Sequence, residues 1–228
     1  MKLISRRAWL SKMAGAVAAG YLFDGCSYNN SKTTGCSLGY GTYGLPGYSL
    51  EEAVKLVSAI GYDSVEPVCL PGYHGDPSTV SKTQRKTLRV LLDDLGLHLG
   101  ALMNLPRPSI KAVDQEAALE SMKQMLELAH DLSGETSPLI QGVLGGGDWE
   151  EKKTLFRDQV GLWQELAAEA GITLAVKPHR SHAMSKPSDG IWLIEELGNS
   201  PFLRLVYDYS HYAFRGLSIE DTVAEALP

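Results

Sequence analysis

One repeated pattern constrains this chain more than any other feature. A short apolar strand is followed by a helix with apolar residues at helical spacing, and a glycine then stops the helix. The first strand covers 37–42. Ser49 and Glu52 form a capping box ahead of the first helix, whose stripe is Leu50, Ala53, Val54, Val57 and Ile60, and Gly61 supplies the stop. The pattern predicts further strands over 63–66, 97–103, 139–144, 172–177 and 203–207. Helices are predicted over about 81–95 and 111–132, from Asp148 to the stop at Gly171, from Pro187 to Gly198, and from Ser218 onward. The fifth strand is a nearly continuous apolar run, as in a strand buried on both faces. Six strands, each followed by a helix, predict a parallel sheet with helices outside it.

Two architectures compete, an open doubly wound sheet and a closed (β/α)8 barrel. The first strand–helix turn contains Gly39, Gly41 and Gly44 in GxGxxG spacing, a string that dinucleotide-binding folds also carry. Here Pro46, Gly47 and Tyr48 intervene before the helix, and Glu66 falls too late to match a ribose-binding carboxylate. The barrel is therefore the expected α/β architecture, with about six of its βα units in the chain.

In parallel β/α folds the chemistry sits at the C-terminal ends of the strands. Glu66 ends strand two, Asn104 follows strand three, and three glycines with Asp148 follow strand four. Lys177 and His179 end strand five, while Asp208, Tyr209 and His211 follow strand six. A carboxylate and an imidazole three residues apart can share a divalent cation or a substrate hydroxyl. A strand-end ammonium such as Lys177 can bind an anion or a developing enolate; it can equally be a lysine reaching out to solvent. Asp208 and His211 are also readable as a local cap and a surface histidine. Arg180 and His182 read as solvated loop residues. Tyr40, Tyr43, Trp149 and Tyr209 are candidates for stacking on a sugar face or for ordinary packing.

Charge bears on partners and on the amino terminus. The formal net charge is −6, which argues against broad nucleic-acid binding. Residues 1–26 carry +3, so the remainder carries −9. Arg6 and Arg7, with Trp9, Leu10 and Lys12 after them, resemble a twin-arginine export signal ahead of a short apolar run. A basic amphipathic helix is the other reading. Residues 1–26 are thus expected to be an export signal, 27–36 a polar tether, and 37–228 the folded domain, located in the periplasm or cell envelope. Cys26 offers a site for lipid anchoring, the one expected membrane contact, although Asp24 departs from the usual residues before such a cysteine. Three cysteines without CxxC spacing give neither a zinc knuckle nor a disulfide framework.

The run Leu174-Ala-Val-Lys-Pro-His179 and the run Leu205-Val-Tyr-Asp-Tyr-Ser-His211 resemble the xylose-isomerase-like TIM-barrel superfamily of sugar isomerases, epimerases and endonucleases. The opening around Gly39 and the step from Gly61 to Glu66 look similar too. The resemblance covers about residues 37–228. It implies metal-assisted proton transfer next to a sugar carbonyl, with a small carbohydrate as substrate and Mn, Mg, Co or Zn as the metal. Asp208 matches the metal-ligand Asp of the sixth strand, and His211 the nearby His that touches substrate or metal. Glu66 sits where some members place a strand-two carboxylate, while Asn104 and Tyr209 fall on the substrate side.

Lys177 departs from this pattern, because the epimerases place a metal-binding Glu there. The resemblance also implies a seventh and an eighth strand that bring a His and a final Glu to the metal, and a C-terminally truncated barrel is therefore expected. These departures leave two alternatives to a sugar isomerase: a non-catalytic sugar-binding barrel or inactive remnant, and a lyase or hydrolase acting on oxidised sugars.

Overall fold

The computed structural model describes residues 36–227, and residues 37–228 form one compact unit. The predicted export signal, its Cys26 and the tether up to residue 35 lie outside the described residues. Strand β1 (Gly39–Gly41) runs into a single 3-10 turn over Thr42–Gly44. Helix α1 (Leu50–Ile60), strand β2 (Ser64–Glu66) and helix α2 (Lys82–Asp94) follow. Strands β3 (His98–Leu99) and β4 (Ala101–Met103) precede α3 (Ala112–Leu132). Next come β5 (Leu139–Gly142), α4 (Trp149–Glu169), β6 (Leu174–Val176), α5 (Pro187–Glu196) and β7 (Leu203–Leu205). Two helices close the described chain, α6 (Tyr209–Ala213) and α7 (Ile219–Ala226).

Local chemistry accounts for the helix boundaries. Ser49 caps α1 and exchanges hydrogen bonds with Glu52, and Ser81 does the same for α2 with Gln84. Asp148 accepts from the Glu151 amide at the start of α4, and Ser218 from the Asp221 amide at the start of α7. Each cap satisfies amides that have no partner within the helix. Gly61 ends α1 at φ 99°, a left-handed conformation that a Cβ would strain, and Gly96, Gly171 and Gly198 repeat the device after later helices.

All strand pairs are parallel, and the order runs from β1 to β7 without reversal. A doubly wound dinucleotide fold needs a reversal at its switch point, so the glycine string of the first turn has no such context here. The third predicted strand is divided at Gly100 into β3 and β4. Gly100 still donates to the Val65 carbonyl and accepts from the Leu139 amide, so the hydrogen-bonded sheet continues through it. A parallel bridge between Val68 and Met103 adds to the join. The seven labelled strands therefore occupy six positions of a (β/α) barrel.

The core lies between sheet and helices. Val57, Leu88, Met122, Met125, Ile140, Phe156 and Leu174 are all buried there. Each such side chain contributes about 1.5–3 kcal/mol when removed from water. One buried cation ties α2 to α3: Arg85 donates to Asp131 and to the carbonyls of Val80 and Pro77, at 2.9–3.0 Å. Below the first turn, Thr42 is fully buried and accepts from the Val68 amide at 2.9 Å. Its hydroxyl lies 2.7 Å from His74 Nε2, while His74 Nδ1 faces the Tyr48 carbonyl at 3.1 Å. This network anchors the segment that carries Tyr43 to the loop after β2.

Candidate functional site

The C-terminal ends of β4, β5, β6 and β7 surround a cavity of about 440 Å³. This volume suits a small molecule. Its walls include Asn104, Arg107, Lys177, His179, Asp208 and His211. Gly142, on β5, forms part of the wall because the loop after β4 passes close to it. A Cβ at Gly142 would stand 2.7 Å from the Leu105 backbone nitrogen.

Asp208 divides its two oxygens between structure and cavity. Oδ1 accepts from the Ser210 hydroxyl at 2.6 Å and from the Ser210 amide at 3.2 Å, which caps α6. Oδ2 lies 3.4 Å from His211 Nε2 and 4.0 Å from Lys177 Nζ. Burial raises the Asp208 pKa, but the Ser210 hydrogen bonds and the positive neighbours outweigh it and hold the carboxyl below its ordinary value. Lys177 is largely buried, and its ammonium lies at the end of β6.

Three imidazoles pack together beside this pair. The ring centres of His179 and His211 are 3.9 Å apart, and those of His179 and His182 are 4.5 Å apart. Burial pushes His179 down to about 4, helped by His211, His182, Lys177 and Arg180. Burial also lowers His211, more than the Asp208 carboxylate raises it. Neutral rings therefore line the cavity near pH 7. The Ser181 amide donates to His179 Nδ1 at 3.2 Å, so the neutral ring carries its proton on Nε2.

The remaining expected residues divide between this cavity and other places. Asn104 lines it, with its amide donating to the Cys69 carbonyl at 3.0 Å. Glu66 instead lines a separate groove with Gly39, Gly41 and Ser64, and accepts from Gln141 at 3.0 Å. Burial raises its pKa, against the Gln141 hydrogen bond and the Lys177 charge. Tyr209 does not line the cavity, and its hydroxyl donates to the Leu217 carbonyl at 3.4 Å. Of the four aromatic candidates only Tyr43 reaches the cavity, stacked on Tyr73 with ring centres 5.5 Å apart. Tyr40 packs on Tyr62, and Trp149 on Phe156 and Trp192.

Two wall residues were not expected from the sequence. Arg107 lies three residues past Asn104, in the loop beyond the strand end. The Pro-Arg-Pro string around it is the signal that could have shown it. His182 was read as a solvated loop residue, but its Nδ1 is buried without a hydrogen-bond partner. Arg180 is exposed as expected, over the Phe214 ring at 4.0 Å.

The family model for the xylose isomerase-like TIM barrel matches residues 54–227. The chain belongs to this family. No curated protein matches the sequence. Among solved structures, this xylose isomerase-like barrel is similar to the probable 3-DHS dehydratase of Bacillus anthracis at 18% identity and TM-score 0.70, over 84% of this chain and 69% of that one. It is similar to a D-psicose 3-epimerase at 16% identity and TM-score 0.70, over 85% and 70% of the chains. A third likeness is to the IOLI protein, whose structure has a binding zinc atom, at 18% identity and TM-score 0.69, over 81% and 67%. At these identities the likeness establishes the fold.

The resemblance implies a divalent metal, which needs several oxygen, nitrogen or sulfur donors converging on one point. Asp208 and His211 supply two donors at one point, and the third neighbour is the Lys177 ammonium. Among the described residues no group of three or more His, Cys, Asp and Glu could hold a metal ion. A positive charge 4.0 Å from the one carboxylate opposes a second cation there. The residues present do not fit the family's metal.

Proposed function

We propose that this barrel is a sugar-modifying enzyme of the isomerase or epimerase type, moving a proton at the carbon next to a carbonyl. The observation that carries the reading is the convergence of Lys177, His179, Asp208 and His211 in one cavity at neighbouring strand ends. The epimerase among the similar structures supports this chemical class. The Lys177 ammonium would face the carbonyl oxygen, where negative charge develops as the proton leaves. His211, held neutral by burial, would accept the proton, with the Asp208 carboxylate beside Nε2 stabilising the imidazolium that forms. The electron pair of the broken C–H bond passes to the carbonyl oxygen, giving an enolate that the Lys177 ammonium and the His179 N–H would hold. Return of the proton to the former carbonyl carbon, with the hydroxyl proton of the neighbouring carbon passing to the former carbonyl oxygen, gives an isomer; protonation of the original carbon on its opposite face, by solvent or an acid other than His211, gives an epimer. Tyr43 would stack on the ring face, and Asn104 would help to line it. The enzyme is taken to work in the cell envelope, on the strength of Arg6 and Arg7 in the amino-terminal segment.

The test is solvent exchange. The full chain is incubated with D-psicose or D-fructose in deuterium oxide, and incorporation at the carbon next to the carbonyl is followed by NMR. Incorporation that disappears in Lys177→Met supports the reading. Sugar binding without incorporation would instead establish a binding barrel.

A further inference from the structure

The permanent charges of the cavity differ in sign from those of the chain. The chain carries −6. Among the described residues, the cavity is lined by two permanent cations, Arg107 and Lys177, and one carboxylate, Asp208. Lys177 is placed against Asp208. Arg107, on the opposite loop, forms no salt bridge among the described residues. Its backbone is held between Pro106 and Pro108, which restrict φ at both neighbours and fix the loop that presents the guanidinium. Its stem passes Gly145 closely enough that a Cβ there would stand 3.9 Å from Arg107 Cδ.

His182 approaches the same part of the wall from the loop after β6. Its amide donates to the His179 carbonyl at 2.8 Å, and its buried Nδ1 is unpartnered. The Ala183 amide donates to the Gly145 carbonyl at 3.0 Å, and the Arg107 stem passes the same Gly145, so Arg107 and His182 border one cavity from either side of that glycine. A buried polar nitrogen without a partner costs free energy unless a ligand completes it. A guanidinium fork with an imidazole beside it matches an oxyanion, which can accept several charge-assisted hydrogen bonds at once.

We propose that Arg107 and His182 form an anion subsite, so that the ligand of this cavity is a small sugar bearing a carboxylate or a phosphate. The proposal rests on reading the cavity as the sugar site, and it names the substrate class. A cavity with excess positive charge also concentrates anions from solution, an effect that weakens with salt.

Three probes with the same ring separate the cases: D-glucose, D-glucuronate and D-glucose 6-phosphate, titrated calorimetrically into the full chain at low salt. Glucuronate or the 6-phosphate should bind at least about tenfold more tightly than glucose. The tighter of the two identifies the anion as carboxylate or phosphate. Arg107→Met should bring the ratio to within about twofold, Arg107→Lys should restore part of it, and Lys86→Met, an exposed charge on α2, should leave it unchanged. Circular dichroism of each variant checks that it is folded. Equal affinity for the three probes, binding of none of them, or a preference that survives Arg107→Met would each overturn the subsite. An anion preference without deuterium exchange into the ketohexoses or into the preferred anionic probe would keep the subsite and remove the proton-transfer reading. Exchange into neutral ketohexoses without any anion preference would do the reverse.

Discussion

The Lys177 ammonium lies 4.0 Å from Asp208 Oδ2, bridging the ends of β6 and β7. The family's epimerases, by the resemblance described above, place a metal-binding glutamate where Lys177 stands. Here a side-chain cation faces Asp208 instead of a further carboxylate.

Lys177→Met should reduce solvent exchange about 100-fold or more, as expected when a charge facing a developing oxyanion is removed. Lys177→Glu should do something different. It places a second carboxylate beside Asp208 and His211, so the variant should melt at a lower temperature than the parent and regain stability on addition of Mn2+. Calorimetry should show Mn2+ binding to this variant and none to the parent. Strong Mn2+ binding by the parent would refute the view that its donor set does not fit the metal.

Glu66 gives a pH prediction with a definite sign. Burial raises its folded pKa above the unfolded value of about 4.3. Between those two values the unfolded chain has lost a proton that the folded chain keeps, so stability falls as pH rises through the window and stays lower above it. Glu66→Gln removes the titration and still offers Gln141 an acceptor. The variant should melt at a higher temperature than the parent at about pH 7 and show no gain at about pH 3.5. A gain of equal size at both pH values would contradict the assignment.

Thr42→Val should destabilise the fold by about 1–3 kcal/mol, because the buried Val68 amide and His74 each lose a partner without an alternative. Urea denaturation measures the loss. Thr42→Ser, which keeps the hydroxyl, should recover most of it.

Gly142→Ala should cost about 1–3 kcal/mol in urea denaturation, because the new methyl group presses on backbone and the loop after β4 must move. The same displacement carries Arg107 outward, so any anion preference of the cavity should weaken together with stability.

The sequence revealed the parts of this molecule that are determined locally. The capping box at Ser49, the cap at Asp148 and the glycine stops at Gly61 and Gly171 act within a few residues, so the strand–helix alternation was visible from spacing alone. Lys177, His179, Asp208 and His211 were visible because a strand end is a position in sequence as well as in space. Glu66 shares that description, yet it faces the groove beside β1, and no spacing rule reports which side of a strand end meets the cavity. Helix α6 was missed because five residues are too few to show a period, and Asp208 serves at once as the local cap and as the cavity carboxylate, two roles the sequence offered as alternatives. Arg107 and His182 line one cavity from separate loops that only the packing of β4, β5 and β6 brings together.

The divided carboxylate of Asp208 has a consequence for communication within the protein. Its Oδ1 holds the first turn of α6, whereas its Oδ2 lies beside Lys177 and His211 in the cavity wall. Tyr207, just before it, lies 2.8 Å from the Thr222 hydroxyl of α7. Any ligand that draws on Asp208 therefore changes how firmly α6 and α7 are held, and by reciprocity anything that loosens those helices changes ligand affinity by the same factor. Hydrogen exchange in α7, which contributes no residue to the cavity wall, should accordingly respond to a molecule bound there.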